Sequence, residues 1–244
     1  MLVFPTFKIE GHIMKFTKLS LIAAVAVSAA VAGGDITPVE PVTQPVEKSA
    51  FEVSANLAIT SNYVWRGMTQ TANSPAVQGG IDLGYKGFYL GTWGSNVEFG
   101  NTDNNLEADF YAGYKNEFAG VQYDIGYIYY AYPNESDAFN FDELYIGLSK
   151  DFGMIGINGK YSFGLDSNID TTDYWEIGAD LDLPMEFTLA ASYGDYDDVG
   201  TNYLVSLSKS WGKFDFTLAY TDFSSDASSL LDEDHIVASV STSF

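Results

Sequence analysis

The chain has 244 residues, with 33 acidic against 11 basic side chains and a formal net charge of −22. That balance excludes a nucleic-acid binder, because phosphate recognition needs clustered Lys and Arg; the absence of cysteine excludes disulfides, thiolate metal centres and cysteine nucleophiles. At 46% hydrophobic the chain is not disordered, so its charge and its 16% aromatic residues must both find a place in one or at most two domains.

From Met14 the sequence reads as a secretory signal. Lys15 and Lys18 form a positive start, Leu19 to Ala29 an apolar run, and Ala30-Val31-Ala32 a small-residue cleavage pattern. The run is shorter than the roughly 20 residues a membrane helix needs. Residues 1–13 precede the signal and fit an upstream start codon. Residues 1–32 are therefore excluded from the fold. Removing them leaves a net charge of about −24, so export deepens the imbalance. Residues 33–50, with Pro38, Pro41 and Pro45, read as a periplasmic linker without a core.

From Phe51 the period is two. Phe51, Val53, Ala55, Leu57 and Ile59 alternate with Glu52, Ser54, Asn56, Ala58 and Thr60, which is a strand pattern. Twelve such segments follow, near 51–65, 76–85, 88–98, 106–116, 121–132, 141–151, 154–164, 174–183, 186–195, 202–211, 214–222 and 235–244. Most have the length of a tilted strand that crosses a bilayer. Their connectors alternate between short and long. Lys86, Lys115, Lys150, Lys209 and Lys213 lie at or near the short turns, whereas acids crowd the long loops. These include Asp166, Asp170, Asp173, Asp232, Glu233 and Asp234. The pattern predicts an all-β fold: an up-and-down transmembrane barrel of about twelve strands, over residues 51–244, with periplasmic turns and outer loops. The fold-level alternative is a soluble periplasmic β-protein.

Aromatics near strand ends predict two girdles at the headgroup level. Tyr63, Trp65, Phe99, Trp175, Tyr193, Tyr196, Tyr203 and Phe223 would form the long-loop girdle. Tyr85, Phe88, Phe118, Phe152, Phe187, Trp211, Phe214 and Phe244 would form the other. Interior glycines such as Gly91, Gly126 and Gly178 suit barrel curvature. Phe244 ends an amphipathic last strand, a pattern that suits recognition by the barrel assembly machinery.

The stretch Ser61-Asn62-Tyr63-Val64-Trp65-Arg66-Gly67-Met68-Thr69-Gln70 resembles the opening motif of the TorF porin family, with Tyr63, Trp65, Arg66 and Gly67 at its centre. Pro75 to Gly80 and Gly91 to Val97 resemble the same region. The resemblance implies an outer-membrane porin and leaves its solute open.

Parity places Asp82, Glu107, Asp109, Asp124, Glu143, Glu176, Asp180, Asp182 and Asp215 on the lumen face, with Arg66, Lys115 and Lys160 as the matching bases. Glu52 and Glu98 share that parity. These residues are the candidate pore lining, and their sign predicts cation preference. Arg66, the only arginine, would brace a lumen carboxylate or else meet an anionic solute. Asp195, Asp197 and Asp198 are the best candidates for a surface Ca2+ or Mg2+ site, without EF-hand spacing; no other cofactor is expected. His235 shares a face with Ser239 and Ser241, yet a catalytic dyad there is disfavoured against a solvated histidine. Three functions compete: a channel for small solutes, a closed structural or surface-interaction barrel with ion-binding loops, and a lipid-acting enzyme. The expected surroundings are outer-membrane lipid and lipopolysaccharide.

Overall fold

The computed structural model describes residues 51–100, 104–133, 139–165 and 172–244. The signal-like segment, the linker, Asp166 and Asp170 lie outside the described residues. The strands are β1 (Glu52–Thr60), β2 (Val64–Trp65), β3 (Met68–Thr69), β4 (Ala76–Tyr85), β5 (Phe88–Ser95), β6 (Glu107–Phe118), β7 (Val121–Ala131), β8 (Phe141–Asp151), β9 (Ile155–Gly164), β10 (Tyr174–Leu183), β11 (Phe187–Tyr196), β12 (Gly200–Trp211), β13 (Phe214–Ser225) and β14 (Glu233–Ser243). All but β2 and β3 form one closed antiparallel barrel of twelve strands, each paired with its chain neighbours in the wall. Closure comes from β1 against β14, in register from Asn56↔Ser243 to Thr60↔Ser239. It removes the open edges that a sheet in lipid could not tolerate.

Burial is inverted relative to a soluble protein. Val53, Leu57, Ile81, Leu90, Ile125, Ile177 and Leu218 are exposed on the outer wall, whereas Gln78, Asp124, Glu143, Ser206 and Thr217 are buried inside. Alternation along each strand produces both faces at once. Two short turns, Lys86-Gly87 and Ala119-Gly120, have positive φ at both residues. Those angles match the primed two-residue hairpin that suits strand twist.

The first strand is shorter than its pattern. It stops at Thr60, whose Oγ1 donates to the Asn62 carbonyl (2.9 Å). The chain then turns into the barrel, although Tyr63 and Trp65 continue the alternation. This overturns part of the long-loop girdle. Tyr63 and Phe223 are buried, Phe99 packs against the interior cluster, and Trp65 and Tyr196 meet edge to face inside at 5.8 Å. Tyr193 and Tyr203 remain outward, as do Tyr85, Phe88, Phe118, Phe152, Trp211, Phe214 and Phe244 at the short-turn end.

The interior has two unlike walls. Along β5 to β8, Tyr89, Tyr111, Ile128, Tyr130 and Tyr145 fill it. Along β12 to β14 the inward residues are small, with Leu204, Ala219 and Val237 forming an apolar spot. The tyrosine wall explains two glycines better than curvature does. A Cβ at Gly113 would collide with the Tyr89 hydroxyl, and one at Gly126 with the Tyr145 and Tyr89 hydroxyls. Each ring lies across a strand that has no side chain there.

Candidate functional site

Residues 61–75 fold inward as a hairpin across the long-loop half of the barrel. The hairpin pairs Val64 with Thr69 and Trp65 with Met68. Arg66 (φ 48) and Gly67 (φ 85) form its two-residue turn. Glycine suits such a turn, whereas arginine there is strained. Gly67 also has no room for a side chain, since its Cβ would stand 2.8 Å from Phe223 Cβ and 2.9 Å from Asn202 Cβ.

Asn62 organises the base of this hairpin. Its Oδ1 accepts from the hydroxyls of Thr69 (2.7 Å) and Thr71 (3.0 Å), and its amide donates to Asn73 Oδ1 (3.1 Å). The Gln70 amide donates to the Tyr63 carbonyl (2.7 Å). The hairpin therefore satisfies much of its own backbone before it touches the wall.

Four contacts hold it there. The Tyr63 hydroxyl donates to Glu107 Oε1 (2.6 Å). The Thr69 amide donates to Glu233 Oε2 (2.8 Å). Val64 packs on Leu204, Ala219 and Val237. Arg66 donates through one terminal nitrogen to both Glu143 oxygens, at 2.8 and 2.9 Å. Both of those side chains are only 1% exposed. The Arg66 guanidinium carbon lies 4.2 Å from the Trp65 ring centroid, 4.1 Å from Tyr174 and 4.6 Å from Tyr196. Burial pulls the Arg66 pKa down, but the Glu143 carboxylate together with the hydroxyls of Tyr130, Tyr196 and Tyr174 outweighs it and leaves the group above its ordinary value. Burial, then Glu107, pushes the Tyr63 and Tyr132 hydroxyls well above theirs.

Asp82, Glu107, Asp109, Asp124, Glu143, Glu176, Asp180, Asp182 and Asp215 face inward, at two levels, whereas Glu52 is exposed at the start of β1. Near the hairpin lie Glu107, Asp109 and Glu143, each at most 2% exposed. Both Asp109 oxygens lack a hydrogen-bond partner among the described residues. Glu176 accepts from the Tyr174 hydroxyl (3.2 Å) and sits opposite Lys160 across β9 and β10. Toward the short turns, Tyr111 donates to Asp82 (2.6 Å) and Tyr89 to Asp124 (2.7 Å). The Tyr89 and Tyr145 hydroxyls also bond each other. Asp180, Asp182 and Asp215 are only partly buried. Glu98 departs from its assigned face: β5 ends at Ser95, and Glu98 is exposed.

Asp195, Asp197 and Asp198 are not brought together as a ligand set. Asp195 is the residue before the last of β11, and Asp197 and Asp198 lie in the following turn, where Asp198 has φ 59. No group of three or more His, Cys, Asp or Glu among the described residues could hold a metal ion. His235 Nε2 lies 2.8 Å from Glu233 Oε2, the atom that also receives the Thr69 amide. Ser239 is four strand residues away, about 13 Å by strand rise, and its hydroxyl has no hydrogen-bond partner among the described residues.

Tyr130, Tyr174, Tyr196 and Glu233 were missed as site residues. Tyr130 and Tyr174 fall on the polar face of their strands, which is the one sequence signal that could have found them. Glu233 was counted only among loop acids.

Residues 45–243 match the model of Gcw_chp, described as a bacterial protein of unknown function. No match is found among the curated proteins. Solved structures of similar fold include the KdgM porin, with a TM-score of 0.56 at 11% identity over 78% of this chain and 99% of that one. The NanC porin gives a TM-score of 0.52 at 12% identity over 78% and 99%. Outer membrane phospholipase A from Escherichia coli gives 0.50 at 12% identity over 78% and 89%. At these identities the likeness is one of fold.

Proposed function

The chain belongs to the Gcw_chp family of bacterial proteins of unknown function, and we propose that it is an outer-membrane channel for passive or selective diffusion of small solutes, with a preference for cations. The observation that carries this reading is the acidic interior of a closed barrel. Nine inward carboxylates face Arg66, Lys115 and Lys160, and the lipid-facing wall is apolar. A low-dielectric wall focuses such a field and concentrates cations inside. The fold likeness to two porins supports the channel class.

In this reading residues 1–32 export the chain, 33–50 form a periplasmic linker, and the short turns face the periplasm. The TorF resemblance is carried by the hairpin motif, and in this reading that hairpin narrows the lumen of this barrel. Phe244, exposed but paired by its backbone to Ala55 in both directions, would present the end of β14 to the assembly machinery. No catalytic step is assigned, because His235 is held by Glu233 and not by a serine.

The filled long-loop half favours a second reading, a closed barrel that binds ions or partners at its surface, with Asp197 and Asp198 exposed and Asp195 half-buried beside them. Swelling of proteoliposomes by small solutes separates the two. Reversal potentials across planar bilayers under a KCl gradient test the preference: cation selectivity is expected, and anion selectivity would refute it.

A further inference from the structure

Arg66 behaves as a ligand that the chain supplies to itself. Its guanidinium lies among three aromatic rings and against one carboxylate. Trp65 travels with the hairpin. Tyr174, Tyr196 and Glu143 belong to the wall, on β10, β11 and β8. Withdrawal of the hairpin would leave two ring faces and a carboxylate at one level of the lumen, the composition that binds organic cations.

A second observation points the same way. Asp109 is 1% exposed, and neither carboxylate oxygen has a partner among the described residues. Glu107, on the same strand face, receives the Tyr63 hydroxyl. Three carboxylates thus share the hairpin's level with one guanidinium. A buried carboxylate without a partner is costly, and a proton or a bound cation relieves that cost; withdrawal of Arg66 would put Glu143 in the same position. The ring faces favour a flat or alkylated cation over a small, strongly hydrated ion.

Resting on the channel reading, we propose that Glu143, Asp109, Tyr174 and Tyr196 form the solute-selecting site, specific for small organic cations bearing a guanidinium or primary ammonium group. Arg66 is its built-in competitor and occupies it while the hairpin is docked.

The test uses the refolded full barrel in planar bilayers, with methylguanidinium as the probe. Arg66→Ala should carry a K+ current that methylguanidinium blocks in a concentration-dependent way. Adding Glu143→Gln or Tyr174→Leu should weaken that block at least tenfold, with heat-modifiable gel migration confirming that each variant is folded. Current through Arg66→Ala that methylguanidinium leaves unchanged would overturn the proposal, as would block indifferent to both second substitutions. If Arg66→Ala passes no current, the channel reading fails. The site is then decided by calorimetry on the same detergent-solubilised variant. Methylguanidinium binding that Glu143→Gln weakens supports it, and no binding overturns it.

Discussion

Glu143→Gln should release the inner hairpin while leaving the barrel wall intact. The Arg66 and Glu143 side chains are each 1% exposed, and the two contacts run at 2.8 and 2.9 Å. Removing one charge of a buried pair leaves the other unpaired, at a cost of about 3–5 kcal/mol. At about 1.4 kcal/mol per decade, the undocked fraction should rise roughly a hundredfold to a thousandfold or more. The strand ladders are untouched by the change, so folding of the barrel should survive it. Trypsin reads the hairpin directly, because Arg66 is the only arginine in the chain. In the wild type its buried side chain cannot enter a protease. When opening is fast, cleavage follows the open population. Cleavage between Arg66 and Gly67 should therefore accelerate about a hundredfold or more in the variant. Cleavage at the exposed turn residue Lys86 should not change, which provides an internal reference. A variant with native heat-modifiable migration that protects Arg66 as long as the wild type does would refute the reasoning.

Tyr63→Phe removes the bond to Glu107, worth about 1.5–3 kcal/mol for a charged partner, and should speed the same cleavage less than Glu143→Gln does. Gly126→Ala drives a methyl group into the Tyr145 and Tyr89 hydroxyls. It should cost about 1–3 kcal/mol and lower the temperature at which the folded gel band is lost. Gly147→Ala, whose Cβ would meet Asp124 Cβ at 3.8 Å, should lower it much less. Tyr63 and Tyr132 have raised pKa values in the folded chain, so their contribution is complete below the ordinary tyrosine value of 10.0 and is lost as pH rises through the folded values. In a titration at 295 nm, the difference between wild type and Tyr63→Phe should therefore appear above the main phenolate step; a coincident step would refute this.

The barrel was legible because each wall strand must serve two surroundings at once. Val53, Leu57 and Ile59 against Ser54, Asn56 and Thr60 state that requirement residue by residue, and the short and long connectors add direction. The hairpin was not legible from the same rule. Tyr63 and Trp65 keep the parity of β1, so alternation carries the strand on to Trp65 and sends both rings to lipid. What ends the strand is the Thr60 hydroxyl on the Asn62 carbonyl and the ring of bonds around Asn62. Those contacts are local and polar, and periodicity does not register them. The acids behaved differently. Asp82, Asp124 and Glu143 face inward because strand parity alone determines it. Their partners could not be read, because a tyrosine reaches its acid across strands: Tyr89 meets Asp124 from two strands away. Asp195, Asp197 and Asp198 show a related limit, since closeness in sequence does not by itself make side chains converge at a strand end.

The single arginine also bears on how the channel would open. Lysine could supply the charge to Glu143, but not a planar group that lies among Trp65, Tyr174 and Tyr196 together. The hairpin is therefore tied to the wall by shape as well as by sign. The interior charge is uneven along the axis. At the hairpin level Arg66 is set against Glu107, Asp109 and Glu143. Toward the short turns, Asp180, Asp182 and Asp215 remain partly exposed, so that end presents carboxylates to solvent while the other end is filled by the hairpin. If the barrel conducts, a cation entering from the short turns meets the tyrosine wall and then the level that Arg66 occupies. Through-passage then depends on moving one short hairpin, residues 61–75, not on deforming twelve strands. Opening and selection would therefore be set by the same few contacts, and Glu143 would govern both.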